Sequence, residues 1–426
     1  MYRKLYVPSP WRLCRRDGGA LGRSSQGEVV RRGLRPLPHF VLEGSGLGTG
    51  RVGEVAAVFL RLGATAFGGP AAHIGLMQEE VVERRKWVDR QTFLDLLGAT
   101  NLIPGPNSTE LAMHLGYVRA GVPGLVVGGA CFILPAMAIV LALAWAYVAF
   151  GALPQAGWLL YGVKPVILAI VGQALWNLRT SAVKGWPTGL AFFGMVAGMF
   201  LGAPEIPLLF GLGLLVMLWQ NRGRSSAAVG GVGPFWGLAF GVEGASLAGA
   251  VAPTLGGVAL FFLKVGSVLY GSGYVLLAFL QNDLVERWGW LTSQQLLDAV
   301  AVGQFTPGPL FTTATFIGYV LGGWQGGLVA TVAIFLPGFF FVGLLGPLLP
   351  RLRKSRWVAG FLEGVNAASL GLMAWVAITL GRGTLVDWQS VALGLVALGL
   401  LLRFRKVNSA WWVAAGGVAG WLLRGL

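Results

Sequence analysis

Hydrophobic residues run through the chain in long stretches that short polar or glycine-rich connections separate. Most stretches are near the ~17–25 residues that a helix needs to cross a bilayer. They are predicted to be helices, because the strands of a membrane barrel would alternate polar and apolar residues. The thirteen stretches cover residues 54–78, 92–118, 122–150, 156–178, 186–202, 206–219, 233–253, 255–280, 295–321, 324–349, 357–381, 387–403 and 409–424. The pattern predicts an all-α polytopic membrane protein.

Composition supports this prediction, since 55% of the residues are hydrophobic, 12% are charged and the mean hydropathy is +0.70. A net charge of +15 would suggest nucleic acid as the partner of a soluble protein. Here the Lys and Arg residues lie between the hydrophobic stretches, as in cytoplasmic loops, so the expected partner is the lipid bilayer and not nucleic acid. The two cysteines, Cys14 and Cys131, offer no metal-ligand spacing. Neither a metal ion nor a cofactor is expected.

The two halves of the chain repeat each other. A Pro-Gly-Pro tripeptide at 104–106 recurs at 307–309, a constant shift of 203 positions. After the loss of one residue, a shift of 202 pairs Leu134-Pro135 with Leu336-Pro337. The shift of 203 also pairs Gln78, Glu83, Arg84, Trp87, Gln91 and Asp95 with Gln281, Glu286, Arg287, Trp290, Gln294 and Asp298. Matches of this extent indicate a duplicated unit.

The repeat divides the chain into four regions. Residues 1–50 are rich in Arg, Gly, Ser and Pro and lack a continuous apolar core, which predicts a basic, disordered tail. The first repeat is expected over 51–220 and the second over 254–426, and residues 221–253 are expected to form a linker with one helix.

The distribution of positive charge predicts the orientation. Lys and Arg cluster after the sixth, tenth and twelfth stretches, which places those loops in the cytoplasm, the N-terminus inside and the C-terminus outside. The basic loop 79–91 also falls inside if the first two stretches of each half are broken or re-entrant. We therefore expect two inverted-topology repeats in the cytoplasmic membrane.

The two Pro-Gly-Pro segments, here called the first break (104–106) and the second break (307–309), are the main candidate site. Proline interrupts a helix, and in lipid such an interruption must face a cavity or be covered by protein. A helix that restarts after it offers free N–H groups and a positive dipole end, which suit an oxyanion near the midplane. The candidate substrate-binding residues here are Gly68, Gly69, Pro104, Gly105, Pro106, Asn107, Ser108, Thr109, Gly271, Pro307, Gly308, Pro309 and Thr312. The alternative is that Gly and Pro only ease helix packing.

Two basic residues join this candidate site. Arg61 and Lys264 are equivalent under the repeat, and each lies near the middle of an apolar stretch, where a charge is costly without a partner. A basic residue in both halves suits a dianion, and the planar Arg fork matches a tetrahedral oxyanion. The alternatives are snorkelling or pairing with Glu54 or Glu243.

Three titratable residues are candidates for proton coupling. Glu110 and His114 are four positions apart and share a face if helix resumes after the first break. Histidine titrates near neutral pH, and a carboxylate can change its proton affinity on burial. The second half has Thr313 in place of Glu110, so a proton path would be asymmetric. A structural role is favoured for His73.

Three sequence segments together carry a resemblance to a known family: 67–70 (FGGP) with His73, 101–110 (NLIPGPNSTE) and 132–135 (FILP). The chain resembles the chromate ion transporter family in its long form with two fused halves, from about residue 54 to the C-terminus. The second half departs from the motif, with Gly271-Ser272-Gly273 for Gly-Gly-Pro and Leu310-Phe311 for Asn-Ser. We therefore expect the two halves to contribute unequally to function.

The resemblance implies a secondary active transporter, an antiporter of the inner membrane that exports chromate, driven by the proton gradient or the membrane potential. Chromate is the expected substrate, sulfate a similar oxyanion, and protons the expected coupling ion. Uptake or exchange of sulfate or another oxyanion is one alternative. A membrane-embedded enzyme or scaffold is another, but the sequence contains no nucleotide-binding loop, zinc motif or nucleophile elbow. The oligomeric state stays open, with a homodimer among the alternatives.

Overall fold

The computed structural model describes residues 49–67, 69–150, 154–222, 253–270, 273–345, 355–404 and 407–425. Over these residues the chain is all-helical, as the hydrophobic pattern predicts. The predicted tail, apart from Thr49 and Gly50, and the predicted linker helix at 233–253, apart from residue 253, lie outside the described residues. So do Gly68, Gly271 and Glu243.

The helices of the first half run in the order that the stretches predict. They are α1 (Thr49–Thr65), α2 (Gly69–Gln78), a π-helical turn (Glu79–Arg84), α3 (Arg90–Thr100), α4 (Asn107–Phe150), α5 (Pro154–Ala182), α6 (Trp186–Phe200) and α7 (Glu205–Gln220). The second half has α8 (Leu255–Val268), a 3₁₀ turn (Gly273–Val275), α9 (Leu276–Phe279), a π-helical turn (Leu280–Arg287), α10 (Ser293–Phe305), a 3₁₀ turn (Leu310–Thr312), α11 (Thr313–Leu345), α12 (Arg356–Thr384), α13 (Trp388–Arg403) and α14 (Ser409–Gly425). The two lists match element by element at the shifts of 203 and 202, except that α9 and the 3₁₀ turns replace regular helix.

Helices α4 and α11 are hairpins of two arms. The backbone leaves the helical conformation at Ala120 and Gly121 in α4, where Gly121 has φ of 63°. The arms then fold back on each other, since a Cβ built on Gly128 would lie 2.9 Å from the Ala112 carbonyl oxygen. Helix α11 turns at the equivalent Gly322 and Gly323. These turns agree with the predicted division between stretches after residues 118 and 321.

Several helices are long and apolar enough to cross a membrane. In the part of the chain that the structure describes, four meet this criterion: Asn107–Phe150, Gly157–Ala182, Leu310–Leu344 and Arg356–Thr384. Further apolar helices of 10–17 residues accompany them. The protein is therefore a multi-pass membrane protein, and its many exposed Leu, Phe and Trp side chains are those expected of a surface in contact with lipid.

The second arms of α4 and α11 are equivalent in the repeat and pack antiparallel. Gly129 lies against Phe339, whereas Gly327, earlier in α11, lies against Leu141, later in α4. Residue numbers therefore rise along one arm as they fall along the other. Two equivalent membrane helices thus run in opposite directions.

Each half also packs its long helix on the last helix of the other half. Gly162 of α5 lies against Gly416 and Gly420 of α14. The equivalent Gly364 of α12 lies against Gly213 of α7. Glycine permits this close approach because any side chain would separate the backbones. The two halves are therefore interlocked around a common core.

Replacing Gly162 with alanine is expected to destabilise the protein by about 1–3 kcal/mol, because the added carbon overpacks the contact with Gly420, where it would lie 2.5 Å from the backbone nitrogen. Thermal unfolding in detergent checks this. Gly172→Ala in the same helix is the control, since its Cβ would meet only Leu398 at 3.6 Å. Equal unfolding temperatures for both variants would show that the contact is not tight.

Candidate functional site

Both Pro-Gly-Pro segments break the helix, as predicted. Helix α3 ends at Thr100 and α4 begins at Asn107. In the second half α10 ends at Phe305, and helical structure resumes at Leu310. The central glycines have positive φ, 139° at Gly105 and 88° at Gly308. This backbone conformation is open to glycine and strained for other residues.

Each break is bonded to the other half of the molecule. The Gly105 N–H donates to the Leu269 carbonyl at 2.8 Å, and the Gly308 N–H donates to the Ala66 carbonyl at 2.9 Å. Ala66 and Leu269 are themselves equivalent under the shift of 203. Reciprocal contacts between equivalent residues define a local two-fold relation. The two breaks therefore lie side by side at the centre of the molecule.

A cavity of about 490 Å³ opens between the breaks. Residues of both halves line it, including Gly105, Pro106 and Pro309, together with the ends or middles of α5 and α12. Its polar lining residues are Asn101, Asn107, Ser108, Ser181, Lys184, Asn366 and Ser369. No Asp or Glu is among the described lining residues. The cavity thus presents donors and one ammonium group.

The first turn of α4 points its polar groups at this cavity. The Pro106 carbonyl accepts from the N–H groups of Thr109 and Glu110 at 2.8 and 3.0 Å, so α4 starts directly after the first break. The N–H groups of Asn107 and Ser108 belong to the first turn, which has no intrahelical partners. The Asn107 side-chain amide donates to the Asn101 oxygen at 2.8 Å. The positive end of α4 therefore faces the cavity.

His73 links the breaks to Ser108. Its Nε2 lies 3.1 Å from the Ala66 carbonyl oxygen, which also accepts from Gly308. Its Nδ1 lies 3.4 Å from the Ser108 hydroxyl. Donation from Nε2 to the carbonyl leaves Nδ1 to accept from Ser108. This buried position is consistent with the structural role favoured for His73.

Glu110 and His114 lie behind the cavity wall. Both are buried on the first arm of α4, and Glu110 lies next to Gly105 and Gly338. Among the described residues, neither oxygen of Glu110, nor His114 Nε2, nor Thr109 Oγ1 has a hydrogen-bond partner. These four unpartnered atoms belong to three residues within positions 109–114, here called the polar cluster beside the first break. The sequence predicted the shared face, but not the absence of partners.

Other candidates lie close to the cavity without lining it. Five of the predicted residues line it: Gly105, Pro106, Asn107, Ser108 and Pro309. Six more are described but are not among the lining residues: Gly69, Pro104, Thr109, Pro307, Gly308 and Thr312. All of these six apart from Gly69 are buried. The structure therefore gathers five residues of the predicted site around the cavity.

Arg61 and Lys264 are not brought to the cavity. Arg61 Nη2 lies 2.5 Å from Glu80 Oε2, and Lys264 Nζ lies 2.9 Å from Asp283 Oδ2. The shift of 203 makes these two ion pairs equivalent. Glu54, the partner considered from the sequence, instead pairs with Arg85 and Arg119. Each pair ties the first helix of a half to its π-helical turn.

Lys264→Met is expected to destabilise the protein by about 3–5 kcal/mol, because among the described residues it leaves the fully buried Asp283 with the half-exposed Arg287, 3.7 Å away, as its remaining ion pair. Arg61→Met is the matched control and should cost about 1 kcal/mol or less, since the Arg61 side chain is 51% exposed and Glu80 keeps Arg84 and Arg85. Unfolding temperatures of the purified variants test this difference. Equal losses would mean that the two pairs are energetically alike.

Two further ion clusters, which the sequence did not reveal, link the halves. Lys184 Nζ, at the cavity, lies 2.7 Å from Glu363 Oε1, and Gln220 donates to the other Glu363 oxygen at 3.0 Å. At the other ends of α5 and α12, the Tyr161 hydroxyl donates to Asp387 at 2.6 Å. In the sequence, the only indication of these clusters was the position of Lys184 between two apolar stretches.

Asp387 lies at the centre of the second cluster. Asp387 accepts from Tyr161, from the Ser390 N–H at 2.8 Å and from Arg424 at 2.7 Å. The hydrogen bond from Tyr161, followed by that from Ser390, lowers the pKa of Asp387 to about 2. A lowered pKa keeps the carboxylate ionised down to about that pH, so the cluster persists through the neutral range.

The fold and the cavity together define a class. Two repeats with antiparallel equivalent helices meet at broken segments around a polar cavity, which is the architecture of membrane carriers. The chain belongs to the chromate transporter family. The model of that family, described as chromate transporter, matches residues 53–218 and again residues 257–421, one copy for each half. The resemblance predicted from the motifs is confirmed.

Named relatives agree with the family. The chromate transport protein of Cupriavidus metallidurans is 33% identical over 378 residues, 86% of this chain and 92% of that protein. The probable chromate transport protein of Synechococcus elongatus is 34% identical over 347 residues, 81% and 88%. The chromate transport protein of Pseudomonas aeruginosa is 31% identical over 388 residues, 87% and 92%. No solved structure matches the chain. Members of the family are transporters and not enzymes, which confirms that expectation.

Proposed function

We propose that this protein is a secondary active carrier that exports chromate across the cytoplasmic membrane. The observation that carries the proposal is the cavity between the two breaks, whose described lining offers donors and a lysine but no carboxylate. A dianion is stabilised by such a lining, because helix N-termini, amides, hydroxyls and ammonium groups all direct positive charge at it. The names of the relatives favour chromate as the oxyanion.

The antiparallel arms and the basic residues near the helix ends support an orientation of the protein in the membrane. The two halves are inserted in opposite directions, and the cavity lies at the end where α5 stops at Ala182 and α7 stops at Gln220. Lys184 and Arg222 lie at this end, so the positive-inside rule places it in the cytoplasm. The cavity is then open to the cytoplasm in this conformation, as a carrier that takes up its substrate there requires.

In this proposal, the two short helices on either side of the π-helical turn are re-entrant. Helices α2 and α3 have 10 and 11 residues, and their length of about 16 Å is half of what a bilayer core requires. Two short helices joined by a π-helical turn enter and return. The breaks at their ends then lie near the midplane, where a carrier holds its substrate.

Proton coupling is assigned to Glu110 and His114. Glu110 lies against Gly105 of the first break, and His114 follows one helical turn later. Neither oxygen of Glu110 nor Nε2 of His114 has a hydrogen-bond partner among the described residues. A group that changes its protonation there alters the charge next to the substrate. Arg61 stays a candidate for the substrate path only in a conformation that releases it from Glu80.

Sulfate is the second candidate substrate. Hydrogen-bond donors recognise the shape and charge of a tetrahedral dianion and not its central atom. The cavity lining therefore fits sulfate uptake or exchange with the same residues. Competition between the two anions distinguishes a selective carrier from a general one.

The test is chromate flux into proteoliposomes with an imposed pH gradient and membrane potential, with sulfate as competitor. Lys184→Met and Ser369→Ala should weaken chromate binding about 10-fold each, since each removes a donor from the cavity, and Ser369 Oγ has no hydrogen-bond partner among the described residues. Lys86→Met at an exposed position and Ser267→Ala at a half-buried position are the controls, because neither residue lines the cavity. Absence of flux under every gradient, in folded protein, would reject the proposal.

A further inference from the structure

Two polar side chains of the second half are buried with a donor atom that has no partner among the described residues. Gln304 is 8% exposed and Thr384 is 7% exposed. Within the described residues, neither Gln304 Nε2 nor Thr384 Oγ1 has a hydrogen-bond partner. Leaving such atoms unpaired costs free energy comparable to a lost hydrogen bond, so native proteins rarely retain them without a reason. A role outside this conformation would supply that reason.

The repeat connects both residues to the open cavity. The shift of 203 places Gln304 on Asn101, and the shift of 202 places Thr384 on Ala182. Asn101 and Ala182 both line the cavity. Asn101 is exposed there, whereas Gln304 is buried. The second half thus holds in its interior the residues that correspond to an open surface in the first half.

A third equivalence adds a positive charge. Asn366 lines the open cavity, and the residue that corresponds to it in the first half is Lys164 of α5. We propose that Lys164, Gln304 and Thr384 form a second site for the same tetrahedral dianion, closed in this structure and related to the open cavity by the local two-fold. This inference rests on the proposed carrier function. The second site adds a binding position for the anion at the opposite end of the proposed substrate path.

The breaks serve both sites. Pro106 and Pro309 are equivalent to each other, and both line the open cavity. Exchange of the two halves by the local two-fold therefore leaves these residues in the lining. An anion that moves from the open cavity to the closed site stays in contact with the central backbone. The transfer then requires rearrangement of the flanking helices only.

Each site has a carboxylate near its lysine. Lys184 pairs with Glu363 at the open cavity. Lys164 interacts electrostatically with Asp298, whose Oδ2 accepts from the Tyr147 hydroxyl at 2.9 Å. Asp298 Oδ1 has no hydrogen-bond partner among the described residues. An arriving dianion competes with the carboxylate for the lysine. The carboxylate therefore balances the charge of the ammonium group while the site is empty, and the ammonium group can bind the anion when it arrives.

The Tyr161–Asp387–Arg424 cluster closes the second site. Tyr161 is equivalent to Glu363, and Asp387 directly follows the residue equivalent to Lys184. The cluster therefore occupies the position that Lys184 and Glu363 hold at the mouth of the open cavity. Three bonded side chains join the ends of α5, α12 and α14 there. Opening of the second site requires that these bonds break.

The experiment uses the full chain without its native thiols, Cys14→Ser and Cys131→Ser, in proteoliposomes. Thr384→Cys is treated with a membrane-impermeant charged thiol reagent on the side of the Asp387 cluster. Val386→Cys, which is 72% exposed, is the reactive control, and Ala182→Cys reports the open cavity from the other side. We expect slow labelling of Thr384→Cys that Asp387→Asn accelerates about tenfold or more, while Ala182→Cys labelling falls.

The outcomes are distinct. Protection of Thr384→Cys by chromate, in the Asp387→Asn background, supports a second oxyanion site. Lys164→Met should reduce chromate flux about tenfold and leave chromate affinity at the open cavity unchanged, because it acts on the closed site only. Normal flux with Thr384→Cys unreactive in both backgrounds would overturn the second site and keep the carrier. Gated labelling without chromate flux or protection would instead reject chromate as the substrate of both sites.

Discussion

Gly308→Ala is expected to abolish chromate flux and to lower the free energy of unfolding by roughly 2–6 kcal/mol, the sum of about 1–3 for backbone strain and about 1–3 for overpacking. The φ of 88° at Gly308 is costly for any residue with a Cβ. That Cβ would also lie 2.7 Å from the Ala136 Cβ and 3.1 Å from the Gly63 oxygen. The second break would have to shift, and its bond to Ala66 would be lost.

A matched control separates strain from packing. Gly202 has φ of 77°, but a Cβ added there would meet no atom within 4 Å. Gly202→Ala should therefore show the backbone penalty alone and keep its flux. Chromate flux and thermal unfolding are measured on both variants. Retained flux in Gly308→Ala would show that the contact between the halves is not required for transport.

The sequence anticipated the breaks because their cause is local. Proline interrupts the helix wherever it lies, so the ends of α3 and α10 could be placed within a few residues. The repeat itself is also a sequence property, which fixed the equivalence of Ala66 with Leu269. From these two facts the central part of the site, around Gly105 and Ser108, could be predicted.

The partners of the charged residues could not be predicted in the same way. Arg61 meets Glu80 and Lys184 meets Glu363 through contacts between distant segments, which spacing along the chain does not encode. From the sequence, Glu54 or Glu243 was weighed as a partner instead, although a carboxylate lay at an equivalent position in both halves. The signal was present, since Glu80 and Asp283 are paired by the shift of 203.

The difference between the two ends of the proposed substrate path also escaped the sequence. Asn101 and Gln304 are equivalent amide residues, yet one is exposed in the cavity and the other is buried. A symmetric sequence in an asymmetric conformation is expected of a carrier that alternates between two states, because each half adopts in turn the arrangement of the other. Which half is open is a property of the conformation and not of the residues.

Glu110→Leu is expected to raise the free energy of unfolding by roughly 1–3 kcal/mol and to remove chromate flux driven by a pH gradient. Glu110 is fully buried, and its two oxygens have no hydrogen-bond partner in the described part of the chain. A residue kept for stability would not leave both oxygens unpaired, so an apolar replacement should pack at least as well. The loss of flux would follow from the loss of the titrating group.

The two effects have opposite signs, which makes the result decisive. Met113→Leu, a buried and volume-conserving change on the same arm, is the control and should alter neither quantity by much. Glu110→Gln keeps the shape of the side chain but removes its titratable proton. Chromate flux driven by the membrane potential alone should therefore persist in this variant, while the dependence of flux on the pH gradient disappears. Lower stability in Glu110→Leu together with intact pH-driven flux would make Glu110 a structural residue and leave His114 as the remaining candidate for the proton. Higher stability with lost coupling would show that the cluster beside the first break is retained for transport at the expense of the fold.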